Sequence, residues 1–171
     1  IAADVLVLGV SKTEDGPKLL SEAPELQALQ VALESIGVTG AIDELRRIPG
    51  SIGATESIAL VGVGSGDVTA HDLRYAAGSA SRQLRGVTSM VLALPTTSDD
   101  DVLAVLEGAA LGAYAYNTYR TSTAESAKLP ASTIIVAAAG ADELVTRATT
   151  IAEAVHTVRD LVNAPPSDLY P

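Results

Sequence analysis

The sequence predicts a three-layer α-β-α domain of the α/β class, built on a mostly parallel sheet. Three observations predict it. Short, nearly continuous apolar runs recur along the chain, the pattern of strands covered on both faces. Amphipathic stretches at helical spacing alternate with them, which is the order of a parallel sheet with helical crossovers. The 171 residues contain no Phe, Trp or Cys and five Tyr. The interior must therefore be built from Ala, Val, Leu and Ile, which favours closely spaced layers.

The elements follow in order. Residues 4–10, DVLVLGV, read as a buried strand, and SKTEDGP after it as a turn. Leu26, Leu29, Leu33 and Ile36 then repeat at helical spacing, with Pro24 near the start and Gly37 placed to take a left-handed cap. ELRRI (44–48) reads as a strand before a Pro49-Gly50 turn, and ESIALVGVG (56–64) as a buried one. Thr69 and Asp72 have the spacing of a capping box, and Leu73, Ala76, Ala77, Ala80 and Leu84 form the helical stripe behind it, ended by Gly86. SMVLALP (89–95) is a third buried strand. Ser98 and Asp101 make a second capping box, opening a helix expected to run to about Tyr119. In it Ala104, Gly108 and Gly112 lie four apart, so small residues line one face and let a neighbouring backbone come close. Residues 121–130 read as a loop and STIIVAAA (132–139) as the last strand. From Asp142 onward Leu144, Ala148, Ile151, Val155, Val158 and Val162 form the most regular stripe in the chain, stopped by Pro165.

The composition excludes several functions. A chain of this length and apolar content buries a core and folds as one domain. The formal net charge of −10 opposes nucleic acid or an anionic membrane as a main partner, and Arg46-Arg47 is too short for a basic patch. With no cysteine there is no disulfide and no cysteine–zinc site, which fits a cytoplasmic protein. The opening IAADVLVLGV is short, carries Asp4 and has no basic leader, so it does not read as a secretion signal. No apolar run approaches a transmembrane length.

Each patch of candidate chemistry has a plainer reading. GVGSG (62–66) lies between a strand and a helix, where phosphate loops sit, but the third glycine of a dinucleotide fingerprint is replaced by Asp67 and no Gly-Lys-Ser/Thr follows. It reads as a tight turn. Asp99, Asp100 and Asp101 suit a helix N-terminus better than a metal. His71 and His156 are the two histidines, and a zinc site would need carboxylates brought from afar. There is no Gly-x-Ser-x-Gly elbow. Tyr114, Tyr116 and Tyr119 with Arg120 resemble a base-stacking platform on one helix, but the net charge favours tyrosines that fill the edge of the core.

Three matches carry a resemblance. Arg159-Asp160-Leu161-Val162-Asn163-Ala164-Pro165-Pro166, with Leu169 and Pro171, is similar to the junction segment of the leucyl aminopeptidase family. Glu107-Gly108-Ala109-Ala110-Leu111-Gly112-Ala113-Tyr114-Ala115-Tyr116-Asn117-Thr118-Tyr119-Arg120 resembles that family's Glu-Gly-x-x-Leu-Gly-x-Tyr-x-Phe-x-x-Tyr-Lys, with Tyr116 for Phe and Arg120 for Lys. Leu60-Val61-Gly62-Val63-Gly64 and Arg74-Tyr75-Ala76-Ala77-Gly78 match as well.

The resemblance spans about Asp4 to Pro171. It implies the N-terminal, macro-domain-like, non-catalytic domain of a homohexameric cytoplasmic metallo-exopeptidase. Such an enzyme removes N-terminal residues from peptides with two divalent metals, zinc or manganese, held in a C-terminal catalytic domain. The family's Gly-Lys-Gly and Asn-Thr-Asp-Ala-Glu-Gly-Arg segments do not occur here, so no catalytic, cofactor-binding or metal-binding residue carries over. Residues 1–162 are expected to form the domain and 163–171 to begin a linker. The alternative is a free-standing macro-like module for an ADP-ribose-type ligand, with GVGSG at the diphosphate.

Overall fold

The computed structural model describes residues 2–118 and 127–165. The elements are β1 (Ala2–Thr13), β2 (Gly16–Leu19), α1 (Gln27–Ile36) preceded by one 3-10 turn, β3 (Leu45–Pro49), β4 (Ala54–Ser65), α2 (Ala70–Gln83), β5 (Ser89–Ala93), α3 (Asp99–Gly112), β6 (Thr133–Val136) and α4 (Asp142–Asn163). The sheet order is β3-β4-β1-β5-β6, with β2 paired to the far end of β1. The β4, β1, β5 and β6 pairings are parallel, while β3 and β2 run antiparallel to β4 and β1.

Alternation along the strands divides the core in two. Val5 and Val7 of β1, Ala59, Val61 and Val63 of β4, and Met90 and Leu92 of β5 face α2 and α3. Leu8, Val10, Ile58 and Leu60 point the other way, onto Leu33 of α1 and Leu26 just before it. Successive strand residues point to opposite faces, so a strand covered on both sides must be apolar at every position. The continuous apolar runs thus report the three layers directly.

Local signals hold where they are short-range. Gly37 caps α1 at φ 78°. Thr69 with Asp72, and Ser98 with Asp101, form reciprocal capping boxes at the starts of α2 and α3. α4 ends at Asn163, and Ala164 turns extended ahead of Pro165.

Three expectations change. SKTEDGP is not only a turn: β1 continues to Thr13 and folds back as β2, tied by the Thr13 hydroxyl donating to the Gly16 carbonyl at 2.7 Å. α3 stops at Gly112 rather than near Tyr119, because Tyr114 is held by α4 instead of continuing the helix. Tyr114 and Tyr116 are therefore on no helix, and Tyr119 and Arg120 lie outside the described residues. The α4 stripe, finally, is covered only in its first half. Ala148 and Ala152 are buried, while Val155, Val158 and Val162 are 37%, 59% and 79% exposed.

Candidate functional site: the α3–α4 clasp and the seams around it

The α2–α3 seam is built by missing side chains. A Cβ on Gly108 would collide with the Arg74 carbonyl oxygen, and one on Gly112 with that of Gly78. A Cβ on Gly78 would stand 3.1 Å from the Gly108 carbonyl oxygen. The small-residue face anticipated on α3 thus lets two helices run backbone to backbone. Arg74 locks the seam, with Nε and Nη2 donating to Glu107 Oε2 at 2.9 and 2.8 Å.

Beyond Gly112 the two resemblance motifs meet. The Tyr114 hydroxyl donates to Asp160 Oδ1 at 2.8 Å and accepts from Asn163 Nδ2 at 3.0 Å. Arg159 lies over the Tyr114 ring, 3.8 Å from its centroid, and its Nη1 donates to the Leu111 carbonyl at 3.1 Å. The His156 ring packs on Tyr114 at 5.1 Å between centroids, with Nε2 buried and without a hydrogen bond. Desolvation, reinforced by the neighbouring Asp160 carboxylate, raises the Tyr114 phenol above its ordinary pKa, so it stays a neutral donor. One aromatic residue therefore fixes the last two turns of α4 to the end of α3. No spacing rule predicts this contact, because the partners lie 46 and 49 residues apart.

Two of the three glycines of GVGSG, Gly62 and Gly64, make room for a loop. A Cβ on Gly62 would overlap the Ala41 carbonyl, and one on Gly64 would stand 2.9 Å from Ile42. The Gly62 and Gly64 amides donate to the Glu44 and Gly40 carbonyls, both at 2.9 Å. Loop 39–44 thus covers the end of β4, and two of the N–H groups a diphosphate would need are already occupied. That loop is itself pinned. Glu44 accepts from the Thr39 and Gly40 amides, each at 2.9 Å. Burial opposes its charge, but the bonds from Thr39, Gly40 and Ala41 prevail and lower its pKa. Asp43, at φ 66°, accepts from Ser79 Oγ at 2.6 Å and Arg82 Nη2 at 2.5 Å, and the Ser79 bond leads in lowering its pKa.

The remaining candidates separate. Asp101 accepts from the Thr97 amide at 2.9 Å, its hydroxyl at 2.8 Å and the Ser98 amide at 3.1 Å, which is capping, and Asp99 and Asp100 stand exposed beside it. His71, in the first turn of α2, is exposed and distant in chain from His156. Among the described residues no three His, Cys, Asp or Glu side chains gather as a metal site, and no helix is long and apolar enough to cross a membrane. Arg46 and Arg47 lie on β3, where Arg47 Nε donates to Ser57 Oγ at 3.0 Å and Ser57 Oγ to the Asp4 carbonyl at 2.9 Å.

This fold and seam define an α/β domain whose last helix leaves the second half of its apolar face uncovered. The model of the cytosol aminopeptidase family N-terminal domain matches residues 6–123, and the chain belongs to that family. It is 48% identical over its whole length to a probable cytosol aminopeptidase of Clavibacter michiganensis subsp. michiganensis and 47% identical, over 99% of its length, to one of Leifsonia xyli subsp. xyli. It spans 35% and 34% of those proteins, about a third of their length. Among solved structures it is similar to the bottromycin maturation enzyme BotP in complex with Mn, at 27% identity and TM-score 0.70 over 99% of this chain and 34% of that one. A tomato leucine aminopeptidase mutant shares the fold at TM-score 0.71 and 20% identity, over 96% of this chain and 36% of that one.

Proposed function

We propose that the chain is the non-catalytic N-terminal domain of a metal-dependent leucyl aminopeptidase, serving assembly and access to an active site carried by the remaining two-thirds of the protein. The observation that carries this reading is the overhanging stripe of α4. Leu144, Ala148, Ile151, Val155, Val158 and Val162 share one face of a continuous helix, yet that face is covered only in the first turns, while the last turns touch the domain through the side that carries His156, Arg159, Asp160 and Asn163. With Leu161, 55% exposed, the second half offers an apolar band that a free domain leaves in water. The relatives are about three times as long, so the natural occupant is the catalytic part of the same protein. The Tyr114 clasp then sets the angle at which α4 leaves the domain.

In this reading no residue of this chain contributes to the chemistry. Two divalent metals, zinc or manganese, belong to the catalytic part, where they activate water and polarise the peptide carbonyl. The whole protein is a cytoplasmic homohexamer acting on peptide N-termini, with neither nucleic acid nor membrane as partner. Residues 1–162 form the domain, and 163–171 begin the link to the catalytic part.

The test is leucine release from a leucyl peptide with manganese or zinc present. The chain alone is expected to be inactive, and the product of the reading frame continued past Pro171 to be active. Metal-dependent release by the chain alone would overturn the proposal.

A further inference from the structure

A cluster of the chain's positive charge lies where the Tyr114 clasp meets α2, and the docking reading assigns it no ligand. A cleft of about 360 Å3 opens where α2 runs past the end of α3 and under α4. Four of the chain's 11 Lys and Arg side chains line it, Arg74, Arg82, Arg85 and Arg159, against one of its 21 acids, Asp43. Arg74 and Arg82 project from one face of α2 with Gly78 between them, since residues four apart stack on a helix. Gly108 and Gly112 leave the wall opposite without side chains.

Two of the guanidiniums are accounted for. Arg74 is paired with Glu107 and Arg82 with Asp43. The other two have no carboxylate in ion-pairing range among the described residues. Arg85 Nε donates to the Arg82 carbonyl at 3.1 Å, and Arg159 Nη1 to the Leu111 carbonyl at 3.1 Å while its plane rests on Tyr114. Each is thus anchored by one of five donors and held ready with the rest. Asp160 is close, but it accepts from the Tyr114 hydroxyl. Fixed, incompletely neutralised guanidiniums are the usual binders of phosphate, which they meet with paired N–H groups. Tyr75, 47% exposed, adds an aromatic wall.

We propose that this cleft binds a small phosphate-bearing molecule, with Arg85 and Arg159 as its anion contacts. The volume is near the lower end of the roughly 300–1,000 Å3 of small-molecule sites. That leaves room for a mono- or diphosphate with a modest organic part. A polymeric anion would extend over the remainder of a chain of net charge −10 and be repelled there.

The experiment titrates the 15N-labelled 171-residue chain with inorganic pyrophosphate at low ionic strength. Expected are saturable amide shifts confined to Gly78–Arg85, Leu111–Tyr114 and the turn around Arg159, weakening as salt is added. Arg85→Gln is expected to weaken binding about tenfold, as loss of a charged hydrogen bond implies. Arg85→Lys should restore part of it, and Arg46→Gln, on β3, should leave it unchanged. Thermal melts establish that each variant is folded, and Arg159→Gln serves in place of Arg85→Gln if that chain does not fold. Linear shifts scattered over the chain, or full affinity in both glutamine variants, would overturn the proposal. So would binding of a hexaglutamate peptide without any response to pyrophosphate, which would assign the cleft to an acidic protein segment. None of these readouts depends on peptidase activity, so the result stands apart from the docking reading.

Discussion

α3 is joined to its two helical neighbours in opposite ways. Against α2 it has no side chains to adjust, because Gly78, Gly108 and Gly112 bring backbone onto backbone. Against the end of α4 it relies on one side chain, Tyr114, and on Arg159, Asp160 and Asn163 around it. The first seam has one solution, since an added methyl meets main chain that cannot move without moving a helix. The second consists of half-exposed hydrogen bonds and a stacked cation, each worth on the order of 1 kcal/mol. The α2–α3 seam therefore defines the rigid body, and the α3–α4 clasp defines how the closing helix leaves it.

Substitutions should separate the two. Gly108→Ala places a methyl into the Arg74 carbonyl and is expected to cost about 3 kcal/mol, the upper part of the overpacking range, read as a lowered midpoint in denaturant. A loss under about 1 kcal/mol would show that the helices can part and would dissolve the contrast. Tyr114→Ala removes the clasp and should cost less, about 2 kcal/mol, with amide exchange accelerated in residues 156–163 and little changed in α2. Equal acceleration in both helices would mean that the two seams form one unit.

Acid should act more gently, and on the rigid body. Asp72 is held below its ordinary pKa first by the Thr69 hydroxyl, Asp101 first by the Thr97 amide, and Asp4 first by the Thr88 amide. A carboxylate with a depressed folded pKa contributes stability that is present above its unfolded pKa and lost as pH falls through the folded one. Stability should thus be flat from neutrality to about pH 5 and decline below pH 4. These groups lie near the surface, so solvent screens much of the effect. Asp101→Asn should flatten the decline, and an unchanged profile would remove capping as its cause. The smallest effect is expected on the overhang. Val158→Ser should change the stability of this chain by under about 0.5 kcal/mol, because the side chain contacts little, while reducing any self-association seen by sedimentation. A large loss of stability would mean that α4's second half is already covered.

Much of the architecture was legible because its causes are local. Strands covered on both faces must be apolar throughout, so β1, β4 and β5 announced themselves. Capping boxes are closed within four residues, so Thr69–Asp72 and Ser98–Asp101 could be read directly. β2 was hidden, since a four-residue strand of Gly, Pro, Lys and Leu has no periodicity to detect. The end of α3 was hidden as well, because the 3.6-residue pattern continues past Gly112 and only a contact from α4 diverts Tyr114. The cleft was the least visible part. Arg74, Arg82, Arg85 and Arg159 are scattered in sequence, and in a chain of net charge −10 nothing marks them as a group.

By itself, then, the sequence determined the layers, the caps, the glycine face of α3 and membership of a family whose motifs it carries. Those are properties of residues close along the chain, or of composition repeated along one element. Only the tertiary structure decided what the glycines are for. Those of α3 admit a second helix, and those of β4 admit the loop at Ala41 and Ile42. It also decided where the α4 stripe stops being core. A stripe records that one face of a helix is apolar, but whether something lies against that face is set by how far the rest of the domain reaches. Here the domain holds the end of the helix by its polar side, at Asp160 and Asn163, and leaves the stripe open.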